Sequence, residues 1–481
     1  MADTSAMLKP QDDTYHIPEK ETLARVVPWW MLIPWLIGGV TGGDFYITNT
    51  FIVAQGGSLT IWGYFFAALF VVMMSLIYWE LLSAFPYSGG EYVYMSRALG
   101  SFAGYSVFFL YAFNFVFWIP LNLSVGGSYL SWITGWNISP TVWSIVFCLL
   151  FHYIVYRGIL FSTIVQVVLS VITIVGTTLL VFIPMLTNPT EFLRLAASNL
   201  PSDYLFPTFP SKVTGALALA GLCITYMVGF EVVPQIAEEI KASRKRFGYI
   251  QTMGSLGMGT IQMLCALGMI SIIPYSMWIL MAGSEINIPA AAMQVAPHLL
   301  PLWAVRIILV SAMMSGFATM VTAITGFTRS LYVMGRDYRL PAVFSYLHPK
   351  YKSPVFAIAL SFVVGMFGSF QRWIVDYAFA LVMATMFMYI LMPIVHIVLR
   401  KKEPNAERPI KTPFYPYINI IMTIWAIYMF WYQVSTVPIS VWYFLIGVVA
   451  LGTILYFFYK DKRRKALREQ GYTDTYYGLP V

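Results

Sequence analysis

The sequence contains few charged residues and few cysteines. Only 10% of its 481 residues are Asp, Glu, Lys or Arg, and 59% are hydrophobic. A soluble domain of ordinary composition carries about 25% charged residues, so an integral membrane protein is expected instead. The three cysteines, Cys148, Cys223 and Cys265, all lie inside apolar runs. They are too few for the disulfide framework of a secreted protein, and their apolar surroundings place them inside membrane helices. We expect them to be packing residues.

The sequence also lacks the motifs of enzymes and of ATP-driven pumps. It contains no HExxH, CxxC or GxSxG pattern, which argues against a metalloprotease site, a redox pair and a hydrolase nucleophile. It contains no Walker-type phosphate loop, so ATP is not expected to be the direct energy source. We therefore expect no enzyme activity, no cofactor and no resident metal. The first 26 residues are polar and predict no signal peptide.

Long apolar runs are present instead, most of them about 20 residues or longer, which is the length that crosses hydrocarbon. They predict an all-α integral membrane protein with twelve transmembrane helices, between a tail at 1–26 and a tail at 460–481. Residues 86–100 are too polar to span and predict a short interfacial helix. The predicted spans are roughly 27–52, 59–84, 102–133, 140–156, 160–185, 213–239, 250–277, 301–333, 354–370, 373–399, 414–433 and 438–459.

The positions of lysine and arginine predict the orientation in the membrane. Short loops rich in these residues stay in the cytoplasm. The even-numbered connections hold most of them, including the runs Lys241–Arg246 and Arg400–Lys402. Both termini are therefore expected to be cytoplasmic in a multi-pass protein of the plasma membrane. The net charge of +8 follows from these loops and the C-terminal tail. It indicates attraction to anionic lipid of the bilayer, and no nucleic-acid partner is expected.

Two of the apolar runs are interrupted by glycines beside a carboxylate. The first is GGVTGGDF around Asp44, and the second is TYMVGFE around Glu231. Hydrocarbon offers no water to a freed backbone group or to a charge, so such interruptions survive only where they line a protein cavity. We expect helices one and six to be discontinuous, around Gly38–Gly43 and around Gly221–Gly229, and to form a binding site there. The expected substrate-binding residues are Gly38, Gly39, Gly42, Gly43, Asp44, Tyr226, Met227, Gly229, Phe230 and Glu231.

Three further stretches carry a recognisable pattern. They are YWELLSAFPYSGGEYVYMSRALG from Tyr78 to Gly100, GFEVVPQIAEEIKASRKRF from Gly229 to Phe247, and TRSLYVMGRDYRLPAVFSYLHPKYKSP from Thr328 to Pro354. The chain resembles the amino acid, polyamine and organocation (APC) transporter superfamily in these signatures. The resemblance implies a leucine-transporter-like fold with two inverted five-helix repeats at about 27–185 and 213–399, plus two extra helices. The transport core would then be 27–399, followed at 400–459 by a basic loop and helices eleven and twelve.

The sequence departs from this family at Asp44. The usual first-helix pattern is glycine, small residue, glycine, and its freed amides receive the carboxylate of the substrate. Here the corresponding residues are Gly42, Gly43 and Asp44. An ionised aspartate there would repel a carboxylate and attract an ammonium group. Asp44 could therefore bind a cationic substrate group, carry a coupled proton, or cap a broken half-helix.

The resemblance also bears on gating and on ion coupling. Glu231 matches an acidic position of the family after the helix-six break, where it would act as a gate or a substrate-side carboxylate, or bond freed backbone amides. Thr173 stands where some proton-coupled relatives have a lysine. A sodium site would need helix-eight hydroxyl groups, for which Ser315 and Thr319 are available together with Thr322 and Thr325. We expect a proton gradient or exchange, rather than sodium, to drive transport.

These observations predict a secondary transporter that moves amino acids or related organic amines by alternating access. Two alternatives stay open. One is a non-transporting nutrient sensor on the same fold, and the other is a transporter specific for polyamines or cationic amines.

Overall fold

The computed structural model of the chain describes residues 23–39, 41–43, 45–136, 138–197, 212–272, 300–370, 374–434 and 437–469. These residues form sixteen α-helices, a few short 3-10 turns and one two-residue parallel strand pair, β1 Val27–Pro28 with β2 Ile240–Lys241. The helices are α1 Leu32–Gly39, α2 Phe45–Gly56, α3 Leu59–Ala84, α4 Gly90–Leu99, α5 Ser101–Thr134, α6 Pro140–Tyr156, α7 Ile159–Thr187, α8 Pro189–Ala196, α9 Lys212–Cys223, α10 Val232–Gln235, α11 Arg244–Ile270, α12 Leu302–Arg336, α13 Val355–Gly368, α14 Ile374–Lys402, α15 Tyr417–Val434 and α16 Ile439–Glu469.

The helices confirm a multi-pass membrane protein. Among the described residues, nine helical segments are long and apolar enough to cross a membrane. Three shorter apolar helices, Trp29–Gly39, Pro140–Tyr156 and Val355–Gly368, lie where further spans are predicted. The count of twelve and the inverted repeats stay predictions. The seventh predicted span begins earlier than expected, because helix α11 continues back to Arg244 through the basic residues at its start.

The segment predicted to be an interfacial helix is helical but is buried inside the protein. Helix α4 packs against α5, α10 and α14, and its residues from Gly90 to Ser96 are buried. Gly100 has a φ of 94° and separates α4 from α5, a backbone conformation that favours glycine. The aromatic side chains Tyr92 and Tyr94 are fully covered by neighbouring helices, which explains why the helix does not lie at the surface.

The basic connections meet at one end of the bundle, here called the basic end. It carries residues 85–100, 236–246, 336–354 and 400–416. The buried guanidinium of Arg329 pairs with Glu239 at 3.0 Å, and that of Arg336 pairs with Glu238 at 2.6 Å. Arg400 pairs with Glu80, whose carboxylate also accepts a hydrogen bond from the Thr412 amide at 2.6 Å. The first two pairs hold α12 to the segment after α10, and the third holds α14 to α3.

The N-terminal segment lies across the same end. Strand β1 pairs with β2, and the amide of Val26 donates to the carbonyl of Glu239 at 3.0 Å. The guanidinium of Arg25 donates to the carbonyls of Ile240 at 3.0 Å and Ala242 at 2.8 Å. The chain before the first membrane helix is thereby fixed to the segment that follows α10.

Candidate substrate site

The first predicted break is present. Helix α1 ends at Gly39, helix α2 begins at Phe45, and Thr41 to Gly43 between them are not helical. Gly42 has a φ of 74°, in the left-handed region that side chains other than glycine rarely adopt. The carbonyl of Gly42 accepts a hydrogen bond from the Phe45 amide at 3.3 Å, which starts the second half-helix.

Helix α5 holds the first break in place through Gly43. The amide of Gly43 donates to Asn122 Oδ1 at 3.2 Å, and its carbonyl accepts from the Tyr129 hydroxyl at 3.3 Å. A Cβ on Gly43 would lie 3.0 Å from the Ala312 carbonyl oxygen and from Gly316 Cα, so the backbone here lies close against α12. Sequence reasoning missed Asn122 and Tyr129, although an asparagine within an apolar helix is a usable signal.

Gly38 and Gly39 serve close helix packing. Both belong to the regular helix α1. A Cβ on Gly38 would overlap the backbone of Ser170 on α7, and one on Gly39 would overlap Gln166 and approach Thr322. The Thr322 hydroxyl accepts from the Trp35 indole at 2.8 Å and from the Gln166 amide at 3.1 Å. These two glycines therefore let α1 lie directly on α7 and α12.

The second predicted break is also present. Helix α9 ends at Cys223, a 3-10 turn follows over Ile224–Met227, and Val228 is extended. Gly229 has a φ of 125°, which again favours glycine, and helix α10 starts only at Val232. Gly221 lies inside α9 and takes no part in the break, contrary to the expectation that it would tolerate unwinding.

Glu231 connects this break to helix α14. Its Oε2 accepts a hydrogen bond from the Gly229 amide at 2.7 Å, and its Oε1 accepts from the Tyr389 hydroxyl. The side chain is fully buried. Hydrogen bonds to an ionised carboxylate are stronger than those between neutral groups, so the two contacts stabilise the charge that burial disfavours. Tyr389 is a further residue that sequence reasoning missed, since nothing in its local pattern marks it.

Aromatic rings bring the two breaks side by side. The ring of Phe45, the first residue after the first break, meets the ring of Tyr226 edge to face, with 5.1 Å between centroids. Phe230 stacks on Tyr389 at 6.0 Å and contacts Tyr78 at 5.4 Å. Met227, which follows Tyr226 in the second break, is fully buried. Phe45 therefore contacts the start of the second break, and Phe230 connects the end of that break to α3 and α14.

The remaining predicted residues are placed as follows. Asp44 lies outside the described residues. Thr173 is buried on α7, where its hydroxyl donates to the Leu169 carbonyl and its own carbonyl accepts from Ser311 at 3.1 Å. Ser315 and Thr319 are buried on α12 beside Gly316, and their hydroxyl groups have no hydrogen-bond partner within the described part of the chain.

Known proteins similar to the chain are permeases and transporters. Residues 28–451 match the family described as Amino acid permease. A branched-chain amino acid permease of Bacillus subtilis is 24% identical over 458 residues, which cover 89% of this chain and 91% of the relative. A methylthioribose transporter of the same organism is 25% identical over 478 residues, which cover 94% and 97%. The vacuolar cationic amino acid transporter 8 of Arabidopsis thaliana is 23% identical over 425 residues, which cover 82% and 67%.

These matches cover both broken helices and the three signature stretches, and none of these relatives is an enzyme. The chain therefore belongs to the amino acid permease family of the APC superfamily and is a membrane transporter of amino acids or related compounds.

Proposed function

We propose that the protein is a secondary active transporter that moves amino acids or related organic amines across the plasma membrane by alternating access. The observation that carries this proposal is the meeting of two broken membrane segments at Phe45 and Tyr226, with the Glu231 carboxylate bound to the second break. Broken half-helices present freed amides, freed carbonyls and partial charges at one depth, which suits the two ends of a zwitterion.

The ammonium end of the substrate is the part that the site is best equipped to bind. Glu231 and Asp44 are the acidic residues beside the two breaks. The Gly43 amide, which the family resemblance assigns to a substrate carboxylate, already donates to Asn122. The aromatic faces of Phe45 and Tyr226 add a surface that attracts cations. The relatives are named after different substrates, namely branched-chain amino acids, cationic amino acids and methylthioribose. Their names therefore do not indicate one side chain for the substrate of this protein.

Alternating access requires the basic end to open and close. The ion pairs Arg329–Glu239 and Arg336–Glu238 are buried, so the structure corresponds to the state closed at this end. Opening would separate α12 from the segment after α10 and expose both pairs to water. We assign this end to the cytoplasm together with both chain termini, because it carries the basic loops.

Coupling to protons, or exchange, fits the site better than coupling to sodium. Glu231 is a buried carboxylate that can gain or lose a proton when a substrate ammonium arrives or leaves. Ser315 and Thr319 could instead supply hydroxyl ligands to sodium next to the first break. Uptake is therefore measured under a sodium gradient at constant pH. Concentrative uptake under this condition would indicate sodium coupling, and its absence would indicate proton coupling or exchange.

The proposed function is tested with purified protein in two steps. A thermal-shift panel of amino acids and amines identifies ligands, because binding to the folded state raises stability by about 2.7 kcal/mol at 100 times the dissociation constant. Each ligand is then tested for uptake into proteoliposomes. Uptake supports a transporter, whereas binding without any flux or exchange identifies a sensor built on the same fold.

A further inference from the structure

Among the described residues, two buried carboxylates lack a basic partner. At the basic end, Glu80, Glu238, Glu239 and Asp337 each lie within 4.0 Å of an arginine. Glu91 and Glu231 are fully buried, and no lysine, arginine or histidine of the described residues lies within that distance of either. Buried charges in proteins are paired or neutralised, so these two need a proton or a cation.

Glu91 and Glu231 are connected by one short piece of helix. Glu91 lies in the first turn of α4, and its Oε2 accepts a hydrogen bond from the Gln235 amide. Gln235 lies four residues after Glu231, at the other end of α10. The Oε1 atom of Glu91 is buried and has no hydrogen-bond partner among the described residues. One oxygen of Glu91 is therefore free to take a proton.

Tyrosine hydroxyl groups fill the space around the two carboxylates. Tyr78 on α3 lies beside Glu91, and Tyr111 on α5 lies beside Glu231. Both tyrosine side chains are fully buried. The titratable and polar groups that face the pair are Tyr94 from α4, Gln235 from α10, Tyr78 from α3, Tyr111 from α5 and Tyr389 from α14.

This arrangement disfavours two simultaneous charges. Like charges in a site from which water is excluded cannot both ionise without a large cost, and such pairs titrate together. Burial raises the pKa of the Glu91 carboxyl well above its usual range, and repulsion from Glu231 raises it further. A hydroxyl group that both donates and accepts, as in Tyr78 or Tyr111, can pass a proton between two carboxylates.

We propose that Glu91 and Glu231 form one proton-binding site, in which Glu91 holds the proton while Glu231 stays ionised and binds the substrate ammonium. With one proton on Glu91 the pair carries a single negative charge, and the substrate ammonium brings the compensating positive charge. The proton then leaves Glu91 toward the basic end when that end opens. This inference rests on the proposed transport function and adds a second coupling residue to it.

The transport test compares Glu91→Gln with the wild type in proteoliposomes that contain a pH-sensitive dye. We expect wild-type uptake to carry protons into the lumen and to rise when a proton gradient is imposed. In Glu91→Gln, substrate exchange should persist, proton entry should disappear, and the ratio of uptake with and without the gradient should fall to about one. Glu403→Gln is the control, because Glu403 is a partly exposed carboxylate that already has a basic partner, Arg97, and it should keep the wild-type ratio.

A second measurement does not depend on transport. A carboxyl whose pKa is raised by folding destabilises the folded state more as the pH rises above its ordinary pKa. Glu91→Gln should therefore melt at a higher temperature than the wild type at about pH 8, with a gap that shrinks toward about pH 5. Glu403→Gln should show no such pH-dependent gap.

The outcomes separate this inference from the proposed function. If the wild-type protein binds substrate but does not transport it, the proposed function is wrong. The melting curves then still show whether the carboxylate pair holds a proton. A Glu91→Gln variant with wild-type proton entry overturns the coupling role of Glu91. Equal melting temperatures for Glu91→Gln and the wild type across the pH range overturn the shared proton site.

Discussion

Removing one partner of the buried ion pair at the basic end should open that end. The side chains of Arg329 and Glu239 are 0% and 1% exposed, and two hydrogen bonds of 3.0 and 3.1 Å join them. Arg329→Met leaves the Glu239 carboxylate buried without its partner, which typically costs about 3 to 5 kcal/mol. If the open state hydrates Glu239, the cost falls on the closed state alone. The equilibrium between closed and open should then shift toward open by roughly 10²-fold to several times 10³-fold.

Hydrogen–deuterium exchange measures this shift directly. Amides of residues 236–242 should exchange faster in Arg329→Met by a similar factor. The double variant Arg329→Met with Glu239→Leu is the matched control, because replacing both partners by apolar groups is often neutral. It should restore exchange close to the wild-type rate. Exchange in Arg329→Met that is no faster than in the wild type would refute the conclusion that this pair keeps the basic end closed.

Three further predictions concern the breaks and the N-terminal segment. Gly42→Ala should weaken substrate binding, because a side chain at a φ of 74° costs about 1 to 2 kcal/mol, while Gly42→Asn should be milder. Asp44→Asn should raise the dissociation constant of cationic substrates about tenfold and that of neutral analogues much less, since a charge-assisted hydrogen bond contributes roughly 1.5 to 3 kcal/mol. Arg25→Ala should speed amide exchange around Ile240 about tenfold, because two hydrogen bonds to that segment are lost.

Each of these predictions has a contradicting result. Equal ligand-induced thermal shifts in Gly42→Ala and the wild type would mean that the left-handed conformation is not needed for binding. An Asp44→Asn variant that binds cations normally but no longer concentrates them would assign Asp44 to proton transfer. Unchanged exchange in Arg25→Ala would show that the strand pair alone fixes the N-terminal segment.

The two breaks could be predicted from the sequence because their cause is local. Glycines beside a carboxylate in a membrane-spanning segment indicate a break in the helix. The sequence predicts these breaks around Gly38–Gly43 and Gly221–Gly229. The observed breaks, Thr41–Gly43 and Ile224–Glu231, overlap those ranges. The difference lies in glycines such as Gly38 and Gly221 that pack against other helices. Composition alone does not distinguish a packing glycine from a hinge glycine.

The contacts that complete the site could not be predicted, because they join residues far apart in the chain. Tyr389 meets Glu231 across 158 positions, and Asn122 meets Gly43 across 79. Tyr389 has no local sequence signature, and the polar side chain of Asn122 marks the residue itself but does not indicate its partner. The burial of α4 was missed for a similar reason, since its aromatic residues suit an interface as well as a protein interior.

The most direct test of the central claim is concentrative uptake of an identified substrate by Glu231→Gln. The amide keeps the size of the side chain but removes the charge that would bind the substrate ammonium and exchange the proton. Glu407→Gln is the matched control, because Glu407 is 77% exposed at the basic end and pairs with Arg244. The account predicts at least about a tenfold loss of concentrative uptake in Glu231→Gln, with wild-type uptake in the control. Wild-type uptake by Glu231→Gln would contradict the account.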